Sequence, residues 1–164
     1  MSMKMKLRAL FNRPKKRLYA AGIRKGDTVL DFGCGPGIYS FAASSIAGGD
    51  GKVYAMDVVK DAVDEVKNRA ERKKNKNIVP VHSGLDTGLA DNSVDVILLY
   101  NVFHHLDNPG QIIRELHRVI KPGGTLSFYD KHIGAAGVAR EKTAGELFEF
   151  QEKRSETSLF KPVK

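Results

Sequence analysis

The stretch Val29–Phe41, VLDFGCGPGIYSF, does most to limit what this chain can become. A short apolar run carrying Asp31 meets Gly33, Gly35 and Gly37, with Pro36 among them. Glycine reaches left-handed backbone angles and lets a ligand approach the main chain closely. The stretch therefore reads as a buried strand that turns sharply into a helix over a backbone pocket.

The rest of the chain repeats that rhythm. DTVLDFG, KVYAMDVV, NIVPVHS, SVDVILLYN and TLSFYDKH read as strands, and the unbroken apolar run VILLY suits burial on both faces. Helices are predicted over about 15–21, in YSFAASSIAGG, over about 61–73 and in PGQIIRELHRVI, the last ending before a KPGG turn. A short helix is expected near 139–145. LFEFQEKR and TSLFKPV then read as an antiparallel hairpin. The fold class that follows is α/β: a doubly wound, mostly parallel, seven-stranded sheet with helices on both faces and a C-terminal antiparallel hairpin closing one edge.

A length of 164 residues predicts one domain over 1–164, with 1–14 as a basic, mobile segment. The single cysteine, Cys34, forms no internal disulfide and has no partners for a structural zinc site, so no metal and a reducing, cytoplasmic setting are expected. No apolar run reaches the length of a signal-peptide core or a membrane span, which predicts a soluble protein. Net charge is +8 and lies at the front, because nine of the 27 bases precede the first acid, Asp27. Such a patch attracts anionic partners. Few aromatics are interleaved with these bases, which disfavours single-stranded nucleic acid, and ERKKNKN (71–77) reads as a solvated connection rather than a nucleic-acid patch. The expected partner is a small molecule, with an anionic one favoured.

In an open α/β sheet the ligand sits beyond the carboxyl ends of the strands, where the strand order reverses. The dinucleotide pattern G-x-G-x-x-G fails here, because its third glycine position is Ile38. Asp31, two residues before Gly33, is a poor neighbour for a pyrophosphate and a good one for a cation. Asp57, at the end of the second strand, is placed for ribose hydroxyls. The pocket thus suits a ligand cationic at one end and carrying an adenosine ribose at the other.

At these residues the chain resembles the class I S-adenosylmethionine-dependent methyltransferases. VLDFGCGPG resembles their first motif, VYAMDVV their second-strand acid motif, and DNSVDVILLYNVFHHL and LHRVIKPGGTLSFYD their later segments. The resemblance implies S-adenosylmethionine as cofactor and S-adenosylhomocysteine as product. It implies that Asp31 and the backbone of Gly33, Gly35 and Gly37 hold the methionine end, Asp57 the ribose and Val58 one face of the adenine. Ser83 and Gly84 fall at the adenine edge, serine standing where the family often has an acid. Tyr100 and Asn101 would lie beside the methionine and the methyl, and FHHL would begin a helix.

Methyl transfer from a sulfonium needs aligned partners and a dry site, and a base only where the nucleophile has a proton to lose. The candidate bases are His104, His105 and His132, with Asp130 beside them, all near strand carboxyl ends. The N-P-P-[YF] motif of amino-methylating nucleic-acid enzymes is absent, YNVF standing in its place, and one cysteine is too few for arsenic methylation. In related small methyltransferases an N-terminal helix covers the cofactor, so the bases of 13–17 are expected at the substrate entrance. The reading is a methyltransferase of a small-molecule acceptor. Its rivals are a non-catalytic S-adenosylmethionine-binding module acting as a partner or regulator, and a nicotinamide-dependent reductase.

Overall fold

The computed structural model describes residues 14–139 and 142–163. Apart from Pro14, the basic front segment therefore lies outside the described residues. The elements are α1 (residues 14–20), β1 (Thr28–Phe32), α2 (Ile38–Ala47), β2 (Lys52–Asp57), α3 (Lys60–Arg72), β3 (Ile78–His82), β4 (Val94–Tyr100), α4 (Pro109–Val119), β5 (Ile120–Tyr129), α5 (Ala135–Ala139), α6 (Lys142–Leu147), β6 (Phe148–Arg154) and β7 (Thr157–Pro162).

One seven-stranded sheet has the order β3-β2-β1-β4-β5-β7-β6. The first five strands are mutually parallel, and β7 runs antiparallel between β5 and the edge strand β6. Strand order reverses between β1 and β4, so a crevice opens there at the strands' carboxyl ends. Alternation along the strands sends side chains to two cores. Leu30, Ile97 and Leu99 pack with Ile113 and Leu116 of α4 on one face. Val29, Val96 and Leu98 pack with Leu18 of α1, Ala43 and Ala47 of α2 and Val66 of α3 on the other. Truncating one such fully buried leucine to alanine costs about 2–5 kcal/mol.

Three local expectations are corrected. FHHL does not begin a helix: Phe103–His105 is a single 3-10 turn, and α4 starts only at Pro109. Proline favours the first helical position and keeps its predecessor out of the helical region, and Asn108 accordingly has φ −126° and ψ 63°. KPGG is not a free turn, because β5 already starts at Ile120, which pairs with Val94 before the register shifts. Finally, the short helix near 139–145 is two pieces, α5 and α6.

Candidate functional site

The glycine turn is built by left-handed backbone at each of its glycines. Gly33 (φ 76°) cannot take a side chain, because a Cβ there would come within 2.6 Å of Val102, and at Gly37 (φ 78°) it would come within 2.8 Å of Val66. Gly35 (φ 50°) differs: a Cβ there meets nothing within 4 Å, so the space above the turn is open. Cys34 in the turn is buried, and its thiol is pushed up by burial and then by Asp31 and Asp57, which leaves it protonated and unreactive.

Asp31 is only 2% exposed and accepts a hydrogen bond of 2.5 Å from the Ser40 hydroxyl. Burial pushes its carboxyl up to about 6; the Ser40 bond opposes this and the charge of Asp57 adds to it. Two carboxylates thus stand under the glycine turn, one lodged in the core and one at the rim. Asp57 Oδ2 accepts the Gly35 N–H at 2.8 Å, and its Oδ1 accepts the Val59 N–H at 2.9 Å.

Beyond Asp57 the rim is apolar. Val58 is 67% exposed and lies against Gly84, where a Cβ would stand 3.3 Å from it. Ile38, Val59 and Leu85 are exposed as well. Ser83 donates its N–H to the Asp57 carbonyl at 3.1 Å, and the His82 ring meets the Val58 carbonyl at 3.0 Å, which ties the end of β3 to the end of β2. This side of the crevice sets an apolar face beside the Asp57 carboxylate.

At the end of β4 the two expected residues part. Tyr100 is buried, its hydroxyl paired with Ser127 at 2.7 Å and its ring edge-on to Tyr39 and Tyr129, so the ring is withdrawn into the core. Asn101 turns out of the strand at φ 52°, a conformation asparagine tolerates. Its N–H donates to the Tyr129 carbonyl at 2.7 Å and its Oδ1 accepts the Lys131 N–H at 3.0 Å, pinning the ends of β4 and β5 together.

That pinning brings the histidines into one group. Phe103 is buried edge-on to Phe128, which fixes the 3-10 turn. His104 Nδ1 lies 2.7 Å from Asp130 Oδ2, and the His132 N–H donates to Asp130 Oδ1 at 2.9 Å. The Asp130 side chain has no exposed surface. Burial pushes its carboxyl up, but the bonds from His104 and His132 outweigh that and hold it below the ordinary value. The ring of His104 lies tilted against those of His105 and His132, at centroid distances of 3.9 Å and 4.4 Å. Among the described residues no group of three or more His, Cys, Asp or Glu is arranged to hold a metal ion.

Of the basic front residues, Lys15 and Lys16 are exposed, while Arg17 reaches inward. Its guanidinium lies 3.8 Å over the Tyr129 ring and donates to the Tyr39 hydroxyl and to Glu156. Its Nε is, among the described residues, the one buried side-chain polar atom with no hydrogen-bond partner. Sequence reasoning missed Ser40, Tyr39, Glu156 and Val102, whose roles appear only when distant segments meet. A serine one turn into the helix after a glycine loop was the only legible signal among them.

Residues 30–128 fit the family described as "Methyltransferase domain". A solved S-adenosylmethionine-dependent methyltransferase from Aquifex aeolicus is similar over 90% of this chain and 88% of its own, at 29% identity and a TM-score of 0.80. A demethylmenaquinone methyltransferase of Bacillus mycoides is 26% identical over 113 residues, 68% of this chain and 48% of that protein. A 37.1 kDa protein of a Streptomyces fradiae transposon is 33% identical over 111 residues, 66% of this chain and 31% of that protein. The chain thus spans half or less of the length of these two curated relatives.

Proposed function

The chain belongs to the methyltransferase-domain family, and on that premise we propose that it moves a methyl group from S-adenosylmethionine to a small-molecule acceptor. The observation that carries this reading is the Asp57 carboxylate at the end of β2, both oxygens on backbone N–H groups at the crevice, beneath an open glycine turn and beside an exposed Val58. The hydroxyls of a ribose diol would bond the remaining lone pairs of Asp57, and an adenine would lie on Val58 with its edge toward Ser83 and Gly84. The main chain of Gly33, Gly35 and Gly37, with Asn101 and the backbone of Tyr100, would hold the methionine end, while Asp31 acts through its field on that end's positive charge.

When bound, the cofactor supplies an electrophilic methyl group on a sulfonium. The protein's share is to orient the acceptor and exclude water, and orientation alone can supply about 7–11 kcal/mol. His105 and His132 form walls of the acceptor site. Residues 1–164 act as one domain in this reading. An anionic acceptor suits the uncompensated charge of Lys15 and Lys16 beside the inward-reaching Arg17. A reducing, cytoplasmic setting suits a buried, protonated Cys34. No helix among the described residues is long and apolar enough to cross a membrane.

The test is isothermal titration of the full chain with S-adenosylmethionine, S-adenosylhomocysteine and NAD. Micromolar binding of the two sulfur ligands and none of NAD is expected. A folded protein that binds neither sulfur ligand would overturn the reading. Methylated product then separates an enzyme from a non-catalytic binding module.

A further inference from the structure

Histidine is a common structural residue, and a ring that only clamped two strand ends would be expected to have both nitrogens engaged or enclosed. In His104 only Nδ1 is engaged. Asp130, ionised, can only accept from Nδ1–H, so whenever the ring carries a single proton that proton is on Nδ1 and the lone pair on Nε2. Among the described residues Nε2 has no hydrogen-bond partner, and it is not buried, so it keeps contact with solvent in a side chain 19% exposed. The carboxylate behind it is completely covered and held by two backbone N–H groups besides, His132 at 2.9 Å and His104 at 3.4 Å. The dyad also stands at the crevice, since Val102, two residues before His104, packs against Gly33.

Resting on the methyltransferase reading, we propose that His104 is the general base of the reaction, that Asp130 is its positioning residue, and that the acceptor is a hydroxyl compound of phenol or enol type. An amine attacks with its own lone pair and sheds its proton afterwards, and a thiol near neutrality is already partly thiolate; neither needs a built base. A neutral hydroxyl does, because its oxygen becomes strongly acidic as it is alkylated. Phenols, near pKa 10, are acidic enough to pass their proton to an imidazole as they are alkylated, whereas simple alcohols are too weakly acidic. In the balanced step the acceptor oxygen bonds the methyl carbon, the electron pair of the broken carbon–sulfur bond stays on sulfur as a neutral thioether, and the hydroxyl proton passes to His104 Nε2. The resulting imidazolium faces the Asp130 carboxylate and returns its proton to solvent. The rings of His105 and His132 lie against that of His104. Lys153 and Glu156 share with Asp130 the lining of a cleft of about 280 Å³.

The experiment uses the full chain, first titrated with S-adenosylhomocysteine, then supplied with S-adenosylmethionine and one-ring probes: catechol, aniline, pyridine and thiophenol, from pH 6 to 9. Catechol alone is expected to be methylated. His104→Asn keeps a donor toward Asp130 and removes Nε2. It is expected to lower kcat for catechol at least 100-fold, with KM, melting temperature and S-adenosylhomocysteine affinity unchanged, and to turn a plateauing pH profile into one that rises throughout. Asp130→Asn is expected to lower kcat less. Wild-type kcat in His104→Asn overturns the proposal. So does methylation of aniline, pyridine or thiophenol, or of no probe, by a protein that binds S-adenosylhomocysteine. Failure to bind that ligand overturns the underlying reading instead.

Discussion

The backbone N–H of Gly35 is held by Asp57 Oδ2 at 2.8 Å across 22 residues of sequence. An acid at the end of β2 therefore shapes the glycine turn before any ligand arrives. Asp57→Ala removes this bond together with two expected ribose bonds. Hydrogen bonds to a charged group are worth about 1.5–3 kcal/mol each, so S-adenosylhomocysteine affinity should fall at least 100-fold in a titration, while circular dichroism shows the fold retained.

The glycines are not equivalent. At Gly33 an alanine Cβ would overlap Val102 within 2.6 Å, whereas at Gly35 it enters open space and carries only the cost of left-handed backbone. That cost is about 1–2 kcal/mol. Gly35→Ala should therefore lose about that much stability in urea, and Gly33→Ala distinctly more. In ligand titrations the order reverses per unit of lost stability, since the Gly35 side chain would occupy the ligand's space.

Asp31 trades stability for function. Its folded carboxyl stands at about 6 against an ordinary 3.8, so between those values the folded state keeps a proton that the unfolded chain has lost. Stability therefore falls as pH rises from about 4 to 6, by about 3 kcal/mol, and the loss persists above. Asp31→Asn should raise the urea midpoint at pH 8 and leave it little changed near pH 4, while weakening S-adenosylmethionine binding.

Glu115 works in the opposite sense. Hydrogen bonds from Arg118, opposed by burial and reinforced by Thr87, hold its carboxyl down at about 2 from an ordinary 4.5. Its contribution is complete above 4.5 and is lost as pH falls toward 2. Arg118 is about one-third exposed, which reduces the value to about 1–2 kcal/mol. Glu115→Gln should cost that much at pH 7 and much less at pH 2.5, read as urea midpoints.

Arg17 should matter far more than its ion-pair partner. Glu156 is largely exposed, so Glu156→Gln should cost under about 1 kcal/mol. Arg17→Met loses the stacking on Tyr129 and the bond to Tyr39 as well, and should cost about 1–3 kcal/mol in thermal unfolding.

What was legible in the sequence is what short segments decide by themselves. The five parallel strands announce themselves as apolar runs, and the hairpin as two such runs across a polar turn. Asp57 and the glycines stand out because one strand end and one turn carry them. The His104–Asp130 pair was not legible as a pair. It spans 26 residues and depends on Tyr100 aligning with Tyr129 across β4 and β5. FHHL was misread because the family resemblance carried a helix onto it, whereas Pro109, three residues beyond, starts α4 and keeps Asn108 out of the helical region. The withdrawal of Tyr100 into the core depends on Ser127, on a different strand.

The place of β7 has a consequence for how the molecule is made. As the chain leaves the ribosome, β6 emerges before β7, yet it can join the sheet only through β7, which lies between it and β5. Until residues 157–162 arrive, the edge of β5 is bare and β6 has nothing to pair with. Between the emergence of β5 and that of β7 the nascent protein thus carries an exposed, aggregation-prone border, and chaperones that cover strand edges should matter more to its yield than to its final stability.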